Sequence, residues 1–337
     1  TLALVSTLFL AISPWHIIFS RTAYETNIAL FFLLLGTLYF YHALNKPWLF
    51  VLSSVSYALS FTSYHAERLV IPLLLVILTI HFQKTLVLKI RNLIFPVLLS
   101  FLIGLALVLP TVKLMRTPGF LSRATTLNIF SYSNQMPWGY AISNDIFNKI
   151  TNYPPLLSFH EFTSLYSSYF SPRYLFSLGD SGPRSSYPDF GSFFVWQLPL
   201  YLLGLYKLLK EKELNTLKVF LLTLLFISPI PAALTRDPYT TIRSLPMVVP
   251  LVVIMSLGLL EIRKYVSYLV IVVLIIYSST HLYLSIFSFN DYFRSQHWNY
   301  GWQKIATGIK ALNSNLPIVV DEVRGREAYI HLLFFLK

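Results

Sequence analysis

Long apolar segments without charged residues constrain this chain more than any other feature. About 20 apolar residues in a helix cross the hydrocarbon core of a bilayer, and unpaired backbone groups are too costly there for an open strand. Asp, Glu, Lys and Arg lie only near the ends of these segments or between them. The sequence therefore predicts an all-α polytopic membrane protein with about nine spans: roughly 1–13, 27–44, 48–63, 69–82, 93–112, 193–209, 217–234, 245–260 and 265–286.

Composition excludes an ordinary soluble domain. Hydrophobic residues form 55% of the chain and charged residues only 12%, against roughly 25% charged in soluble proteins. The chain has no cysteine, which excludes disulfides and thiolate metal sites. Thr1 lies inside an apolar run with no charged segment before it. We therefore expect a fragment that begins inside a membrane helix, not a signal peptide.

The distribution of basic residues predicts the orientation. Four alternate connections between spans contain ten Lys and Arg residues, whereas the opposite short loops contain only Arg21, Arg68, Arg236 and Arg243. Cytoplasmic loops are the ones enriched in Lys and Arg. The protein is thus expected in the plasma membrane, with its long 113–192 connection outside. The ten cytoplasmic residues are Lys46, Lys84, Lys89, Arg91, Lys207, Lys210, Lys212, Lys218, Arg263 and Lys264.

The net charge of +12 does not indicate a nucleic-acid partner, because topology and contact with anionic headgroups account for it. The outer side is distinctive instead: eleven of its sixteen basic residues are Arg, and eleven of the fourteen acids lie there. Arg has a planar fork that suits phosphate. Two explanations of this excess of Arg and of acids remain open. It reflects either drift in composition together with contacts to lipid headgroups, or an outward-facing site that binds a phosphate and contains carboxylates.

The chain after the last span is expected to lie outside as well. Trp298, Trp302, Ile305, Ile309 and Leu312 recur every three or four residues, which predicts an amphipathic helix. The run 318–320, Ile-Val-Val, is typical of a strand, so the tail is predicted to begin a small α/β domain. The expected division is 1–112, transmembrane helices with outer loops 14–26 and 64–68; 113–192, a long extracytoplasmic loop; 193–286, transmembrane helices with outer loop 235–244; and 287–337, the extracytoplasmic C-terminal segment.

The first outer loop holds a basic and an acidic residue four positions apart. If 15–26 is a short interfacial helix, Arg21 and Glu25 lie on one face of it. They then form either a surface ion pair of little energetic weight or an acid/base and phosphate site at the membrane rim. Spacing alone does not separate these two alternatives.

Two further outer connections carry candidate ligands for a phosphate. In the turn 64–68, His65 alone is more often structural, but Arg68 at the mouth of a helix suits a lipid phosphate. Arg243 lies near the start of the next helix, where the dipole also favours an anion. The alternative is that Arg236 and Asp237 pair locally while Arg243 extends to the headgroups. No metal-ligand spacing is evident, and the Gly/Ser/Pro string at 178–191 is too irregular for a nucleotide loop.

These outer-loop strings together resemble the dolichyl-phosphate-mannose-protein mannosyltransferase-like family. That family includes the bacterial lipid A aminoarabinose transferases and belongs to the class C (GT-C) membrane glycosyltransferases. The resemblance covers most of residues 1–260 and depends on the order and spacing of the strings. They are SPWHIIFSRTAYE at 13–25, YHAERLVIP at 64–72, DFG at 189–191 leading into LPLYLLGLY at 198–206, IPAALTRD at 230–237 and IRSLP at 242–246.

The resemblance implies a GT-C-like bundle that transfers a sugar, with inversion, from a polyprenyl-phosphate donor to an extracytoplasmic glycan, lipid or protein acceptor. It implies no nucleotide sugar or redox cofactor, and the ligands of any divalent metal cannot be identified from the sequence. Members place their principal catalytic Asp in a loop that this chain would carry before Thr1. The implied roles are a catalytic or donor-positioning carboxylate at Glu25; donor phosphate binding by Arg21, Arg68 and Arg243; and substrate binding by Tyr24, His65, Glu67, Arg236 and Asp237.

Two other classes of function remain open. Coupled transporters place ionisable groups near the midplane, on broken helices within repeated halves. The predicted spans have no formal charge in their interiors and no internal repeat. A lipid flippase with a purely apolar groove is compatible with the sequence, and so is a non-catalytic membrane scaffold that kept the fold.

Overall fold

The computed structural model of the chain describes residues 1–118, 128–130, 154–236, 238–262, 268–298, 301–312, 319 and 328–336. Within these ranges every regular element is helical, and none is a strand. Several of the helices are long and apolar enough to cross a bilayer. The predicted class, a helical membrane protein, is confirmed at this level.

The first seven helices alternate between long apolar rods and short connecting pieces. Ser13 separates the first two, and its hydroxyl accepts a hydrogen bond from His16 N at 3.5 Å. Pro14 occupies the first position of the second helix, where its missing N–H costs nothing, and the two helices meet at 63°. The helices are α1 Leu2–Ile12, α2 Pro14–Arg21, α3 Thr26–Ala43, α4 Leu49–Ser63, α5 Glu67–His81, α6 Gln83–Leu88 and α7 Ile90–Leu114.

The second half of the described chain is also helical and more broken. Several of its pieces are π or 3₁₀ turns that continue a neighbouring α-helix. The elements are α8 Pro154–Ser168, a π turn Tyr174–Leu178, α9 Gln197–Lys210, α10 Asn215–Ile227, α11 Ile230–Ala233, a 3₁₀ turn Leu245–Met247, α12 Val248–Ile262, α13 Tyr268–Leu284, a π turn Ser285–Phe289, α14 Asn290–Arg294, a 3₁₀ turn Ser295–Trp298, α15 Gly301–Ala311 and α16 Ala328–Leu336.

Five of the expected membrane spans are long enough in the structure, and a sixth is formed if the bent pair α1–α2 counts as one span. The predicted spans 48–63, 69–82 and 193–209 correspond to helices of 15, 15 and 14 residues, which are shorter than the usual length. The described residues thus contain five or six candidate spans. The five long ones are Thr26–Ala43, Leu93–Leu114, Asn215–Ala233, Leu245–Ile262 and Leu269–Arg294.

Helix α12 forms the centre of the bundle, and it crosses α9 at two glycines. A Cβ on Gly204 would lie 1.7 Å from Ile254 O, and one on Gly258 would lie 1.9 Å from Leu200 O. The two backbones therefore touch directly, as small residues allow in membrane bundles. Helices α7 and α13 instead keep much of their apolar surface exposed, as lipid-facing helices do.

The C-terminal segment contains α15 where the sequence predicts an amphipathic helix. Its buried residues are Trp302 and Ala306, whereas Ile305 and Leu312 are exposed. One member of the predicted apolar stripe, Trp302, is therefore buried while two others are exposed, because α15 packs against α16 around Trp302, whose ring stacks on His331 at 5.9 Å between centroids. Of the predicted strand 318–320, only the exposed Val319 lies within the described residues.

Candidate functional site

The first outer segment does not form one helix. Helix α2 ends at Arg21, and Thr22 has extended backbone with ψ 150°. Glu25 occupies the N-cap position of α3, its side chain is exposed, and it makes no capping hydrogen bond. The condition under which Arg21 and Glu25 would share one helix face, a single helix over 15–26, is therefore not met. The reason is local: Thr22 breaks the helix, and its hydroxyl donates back to Ile18 O at 2.7 Å.

Arg21 is directed towards the C-terminal half of the chain. Its guanidinium lies over the ring of Phe287, 5.0 Å from the centroid. It also shares a side-chain hydrogen bond with Tyr187, whose pKa is raised by burial and partly restored by this contact. Arg21 therefore ties α2 to the loop at 179–192 and to the π turn at 285–289.

The turn at 64–68 carries a buried carboxyl group. Tyr64 and Glu67 are buried, with Glu67 only 1% exposed, and burial raises the pKa of the Glu67 carboxyl to about 8. Among the described residues no group is within hydrogen-bonding distance of Glu67 Oε2. Arg68 is half-buried, and its Nε donates to Phe61 O at 3.4 Å. His65 is exposed and lies against the Tyr64 ring at 4.2 Å between centroids.

The third outer segment separates its two arginines. Arg236 has a left-handed backbone, with φ 57°, and its Nε lies 3.0 Å from Glu161 Oε1 of α8. Arg243 is half-buried and donates from Nη1 to Thr235 Oγ1 at 2.7 Å. Asp237 lies outside the described residues. The partners of Arg236 thus include Glu161 and Ile129 O, to which its Nη2 donates at 3.4 Å, and both come from distant segments.

Residues from all three segments meet at Tyr64. Ala29 of α3 packs with Tyr64 and Ala66, and Ile242 packs against them. The pKa of Tyr64 is raised mainly by burial, lowered by the charge of Arg243 and raised by the charges of Glu25 and Glu67, with a smaller contribution from Tyr24. Such effects need short separations. We call Tyr64, Glu25, Glu67 and Arg243 the Tyr64 cluster.

A polar and aromatic frame holds the loop that carries Arg243. Trp15 Nε1 donates to Thr241 O at 3.1 Å, and Tyr169 Oη accepts from Thr240 N at 2.8 Å. Tyr239 is fully buried and shares a hydrogen bond of 2.8 Å with Ser192. These contacts join α2, the segment after α8 and the loop at 179–192 to the loop at 239–244.

Asp180 is the central acceptor of this frame, and sequence analysis did not select it. Its Oδ2 accepts from Thr241 N and from Thr241 Oγ1, both at 2.6 Å, and its Oδ1 accepts from Gly182 N at 2.6 Å. The only available signal was a lone acid flanked by Gly and Ser at 179–182, which is also typical of a plain turn.

Comparison with known proteins adds no assignment. No family model, no curated protein and no solved structure matches this chain. Within the described part, no group of three or more His, Asp or Glu side chains is arranged to hold a metal ion. The Tyr64 cluster is therefore judged on its own geometry: two carboxyl groups, one buried and one exposed, beside a half-buried guanidinium at the ends of apolar helices.

Proposed function

We propose that this protein is a membrane glycosyltransferase that moves a sugar, with inversion, from a polyprenyl-phosphate donor to an extracytoplasmic acceptor. One observation carries the proposal: Ile242, the sequence neighbour of Arg243, packs against the cluster of Tyr64 and Ala29, and Ala29 lies in α3, the helix that begins after Glu25. This contact lies at the ends of α3 and α4 opposite the Lys46 turn. A carboxylate and a guanidinium beside an apolar wall are suited to transfer from a lipid phosphate, because the charged head stays at the rim while the tail needs only hydrocarbon.

In the proposed mechanism, Arg243 and Arg68 bind the phosphate of the polyprenyl-phosphate donor. Arg243 presents a fork of N–H donors beside the first turn of the helix that follows, where the helix dipole also favours an anion. Arg68 is half-buried, and burial lowers its pKa, yet an arginine stays protonated. Partial burial strengthens its attraction for a phosphate. Both guanidinium groups would stabilise the charge that grows on the departing phosphate.

Glu25 supplies the proton acceptor. The acceptor hydroxyl or amine attacks the anomeric carbon, the bond from that carbon to the phosphate oxygen breaks, and the electron pair leaves with the phosphate. The proton of the attacking group passes to a carboxylate. Members of the family that the chain resembles carry a catalytic Asp for this step in their first outer loop, and beside such a residue Glu25 positions the substrates. Exposure of Glu25 suits either role, because an incoming acceptor must reach it.

The number of helices that cross the membrane, and the side on which each loop lies, are also part of the proposed function. Helices α4, α5 and α9 are short, but each packs against a helix of a candidate span. Helix α4 lies against α3 and α7, α5 against α10 of the span Asn215–Ala233, and α9 against α12. We propose that they cross with those neighbours, to give nine spans in the plasma membrane. The Tyr64 cluster, the loop 113–192 and the tail 287–337 then face outward, and the tail begins a small α/β domain.

The first test measures donor binding and sugar incorporation in membranes that contain the full-length protein. Arg243→Ala should weaken binding of the polyprenyl-phosphate donor on the order of tenfold or more, because the phosphate loses a charge-assisted hydrogen bond. Arg243→Lys should restore binding only in part, since a point charge does not reproduce the fork. Arg173→Ala, an exposed arginine outside the Tyr64 cluster, is the matched control and should bind as wild type.

The second test separates chemistry from binding. Glu25→Gln keeps the shape of the side chain and removes its charge, so transfer should fall about 10²-fold while donor binding survives. Wild-type transfer rates in both Glu25→Gln and Arg243→Ala would refute the site. Movement of the intact lipid-linked sugar across the membrane without transfer would support a flippase and refute the enzyme.

A further inference from the structure

A cavity lies at the end of the bundle opposite the Tyr64 cluster. It has a volume of about 650 Å³ and is bounded by α3, α4, α5, α6 and the first half of α7. Its lining includes Phe40, Phe50, Leu75, Leu86 and Phe101. Phe40 and Leu75 are in the second halves of α3 and α5, whereas Phe50 opens α4. The cavity is therefore remote from the turn at 64–68, which joins the opposite ends of α4 and α5.

Four of the five hydroxyl groups that line the cavity, all except that of Thr79, are hydrogen-bonded within the bundle. Ser53 Oγ donates to Gly36 O at 2.8 Å, and Ser54 Oγ donates to Ser100 O at 2.6 Å. Tyr57 Oη shares a hydrogen bond of 3.0 Å with Thr37. With these groups occupied, the surface offered to a ligand is hydrocarbon. A chain of methylene groups suits this space, and a sugar or a phosphate does not.

The close contact between α4 and α7 fixes one side of the cavity. A Cβ on Gly104 would lie 2.3 Å from Ser54 Oγ, so the two helices are at their closest around these residues. Towards its first turn α7 is joined to α5 through the short helix α6, whose Leu86 lines the space together with Leu93. This side of the cavity is thus held by the contact of Gly104 with the Ser54 side chain and by the hydrogen bond from Ser54 to Ser100 O.

The charge at this end has one sign. Lys46 and Lys84 are exposed beside the cavity-lining helices, and Lys89 Nζ donates to Leu44 O at 2.7 Å. From Thr26 to Leu114 the sequence contains a single acidic residue, Glu67, and that residue lies at the far end. The lysine end, defined by Lys46, Lys84 and Lys89, therefore attracts anionic headgroups and repels none.

We propose that this cavity binds an acyl chain of an anionic glycerophospholipid, whose headgroup phosphate lies beside Lys46 and Lys84. The apolar wall accounts for the chain, and the lysines account for the charge of the headgroup. This site lies at the opposite end of the helices from the Tyr64 cluster, so it does not rest on the proposed sugar transfer. The bound lipid would fill the space between α4, α5 and α7 and hold these short helices at their depth in the bilayer.

Native mass spectrometry of the purified full-length protein tests the site. Phosphatidylglycerol and phosphatidylcholine with identical acyl chains are added after delipidation, and phosphatidylglycerol should be retained preferentially. Leu98→Trp, which fills the cavity lining, should weaken retention roughly tenfold. Leu105→Trp, on the same helix and exposed but outside the lining, should bind as wild type. Equal retention by these two variants would overturn the proposal.

The headgroup is tested separately. Lys46→Gln with Lys84→Gln should reduce the preference for phosphatidylglycerol by about fivefold per lysine and leave phosphatidylcholine retention unchanged. Lys210→Gln with Lys212→Gln removes two lysines from another turn and should change neither. Equal retention of the two lipids by wild-type protein would refute the anionic headgroup.

A measurement on the wild-type chain guards against misfolded variants. Phosphatidylglycerol with a diazirine in its acyl chain should crosslink to peptides from 49–63, 67–81 or 90–101. Labelling spread evenly over exposed helices such as α13, or displacement of the lipid by polyprenyl phosphate, would overturn the assignment.

Discussion

The carboxylate of Asp180 accepts two hydrogen bonds from Thr241, one from the backbone N–H and one from the hydroxyl, both at 2.6 Å. Thr241 is two residues before Arg243, so this pair fixes the backbone from which the proposed phosphate ligand projects. Arg294 closes the loop of Asp180 from the other side, with Nη1 donating to Pro183 O at 2.9 Å and to Ser186 O at 3.0 Å.

Asp180→Asn should therefore loosen the Arg243 loop. An amide placed in this pocket presents an N–H group to a backbone N–H donor, which leaves one buried donor without an acceptor and costs about 1–3 kcal/mol. We expect a lower unfolding temperature in detergent and weaker donor binding, with the transfer rate at saturating donor largely retained. Asp291→Asn, at an exposed acid, is the control. Unchanged stability of Asp180→Asn would show that the pair does not hold the loop.

Glu67 should make stability depend on pH. Burial raises its pKa from 4.5 to about 8 in the folded protein, so the folded state binds more protons than the unfolded state between these values. Stability then falls as the pH rises through this window, by roughly 5 kcal/mol in all, and levels off above about pH 8. Glu67 lies before the predicted span 69–82, in the connecting turn.

Thermal unfolding of wild type and Glu67→Gln in the same detergent, at intervals from pH 5 to 8.5, measures this effect. All other titrating groups are common to both proteins, so the difference isolates Glu67. Glu67→Gln should match wild type at the acid end and become progressively more stable than it towards pH 8. Parallel curves across the range would contradict a buried, uncompensated carboxyl group.

The contact between α9 and α12 predicts a strong effect from a single methyl group. Gly258→Ala places a Cβ where Leu200 O lies 1.9 Å away, so the helices must separate at the centre of the bundle. We expect a loss of about 1–3 kcal/mol of stability, seen as a lower unfolding temperature or less folded protein in membranes. Gly308→Ala is the matched control, because nothing lies within 4 Å of a Cβ there. It should be neutral or stabilise α15 by up to about 1 kcal/mol.

The helical part of the fold follows from the sequence because apolar runs in a bilayer have few alternatives. The lengths of α4, α5 and α9 do not follow so directly. Helices end at turn residues such as Pro47 and at the break at Lys89 between α6 and α7. Hydropathy does not predict these ends. Periodicity likewise predicts an amphipathic α15 but not which residues of its apolar face are buried, because that depends on its tertiary contacts.

The candidate site is predictable in outline for a related reason. Loops that join neighbouring helices at one membrane depth must lie near one another, so the sequence predicts that Glu25, Arg68 and Arg243 converge. The neighbour of Arg68, Glu67, is the residue of that turn in the Tyr64 cluster, whereas Arg68 Nε donates to Phe61 O. Their individual partners are not predictable, because these come from distant segments. Arg21 reaches Tyr187 and Phe287, and Asp180 reaches Thr241, 61 residues further along the chain.

The orientation of the bundle is the prediction on which all the site assignments depend. The chain has no cysteine, so single cysteines can be introduced without removing any others. Ser181→Cys, at an exposed position in the loop of Asp180, should react with an impermeant thiol reagent in intact cells. Lys212→Cys, at an exposed position in a lysine-rich turn, should react only after the membrane is permeabilised, since cytoplasmic loops are the basic ones.

Labelling of both sites in permeabilised cells confirms that each thiol is accessible. Labelling of Lys212→Cys but not Ser181→Cys in intact cells would place the Tyr64 cluster in the cytoplasm, where an extracytoplasmic acceptor could not reach Glu25.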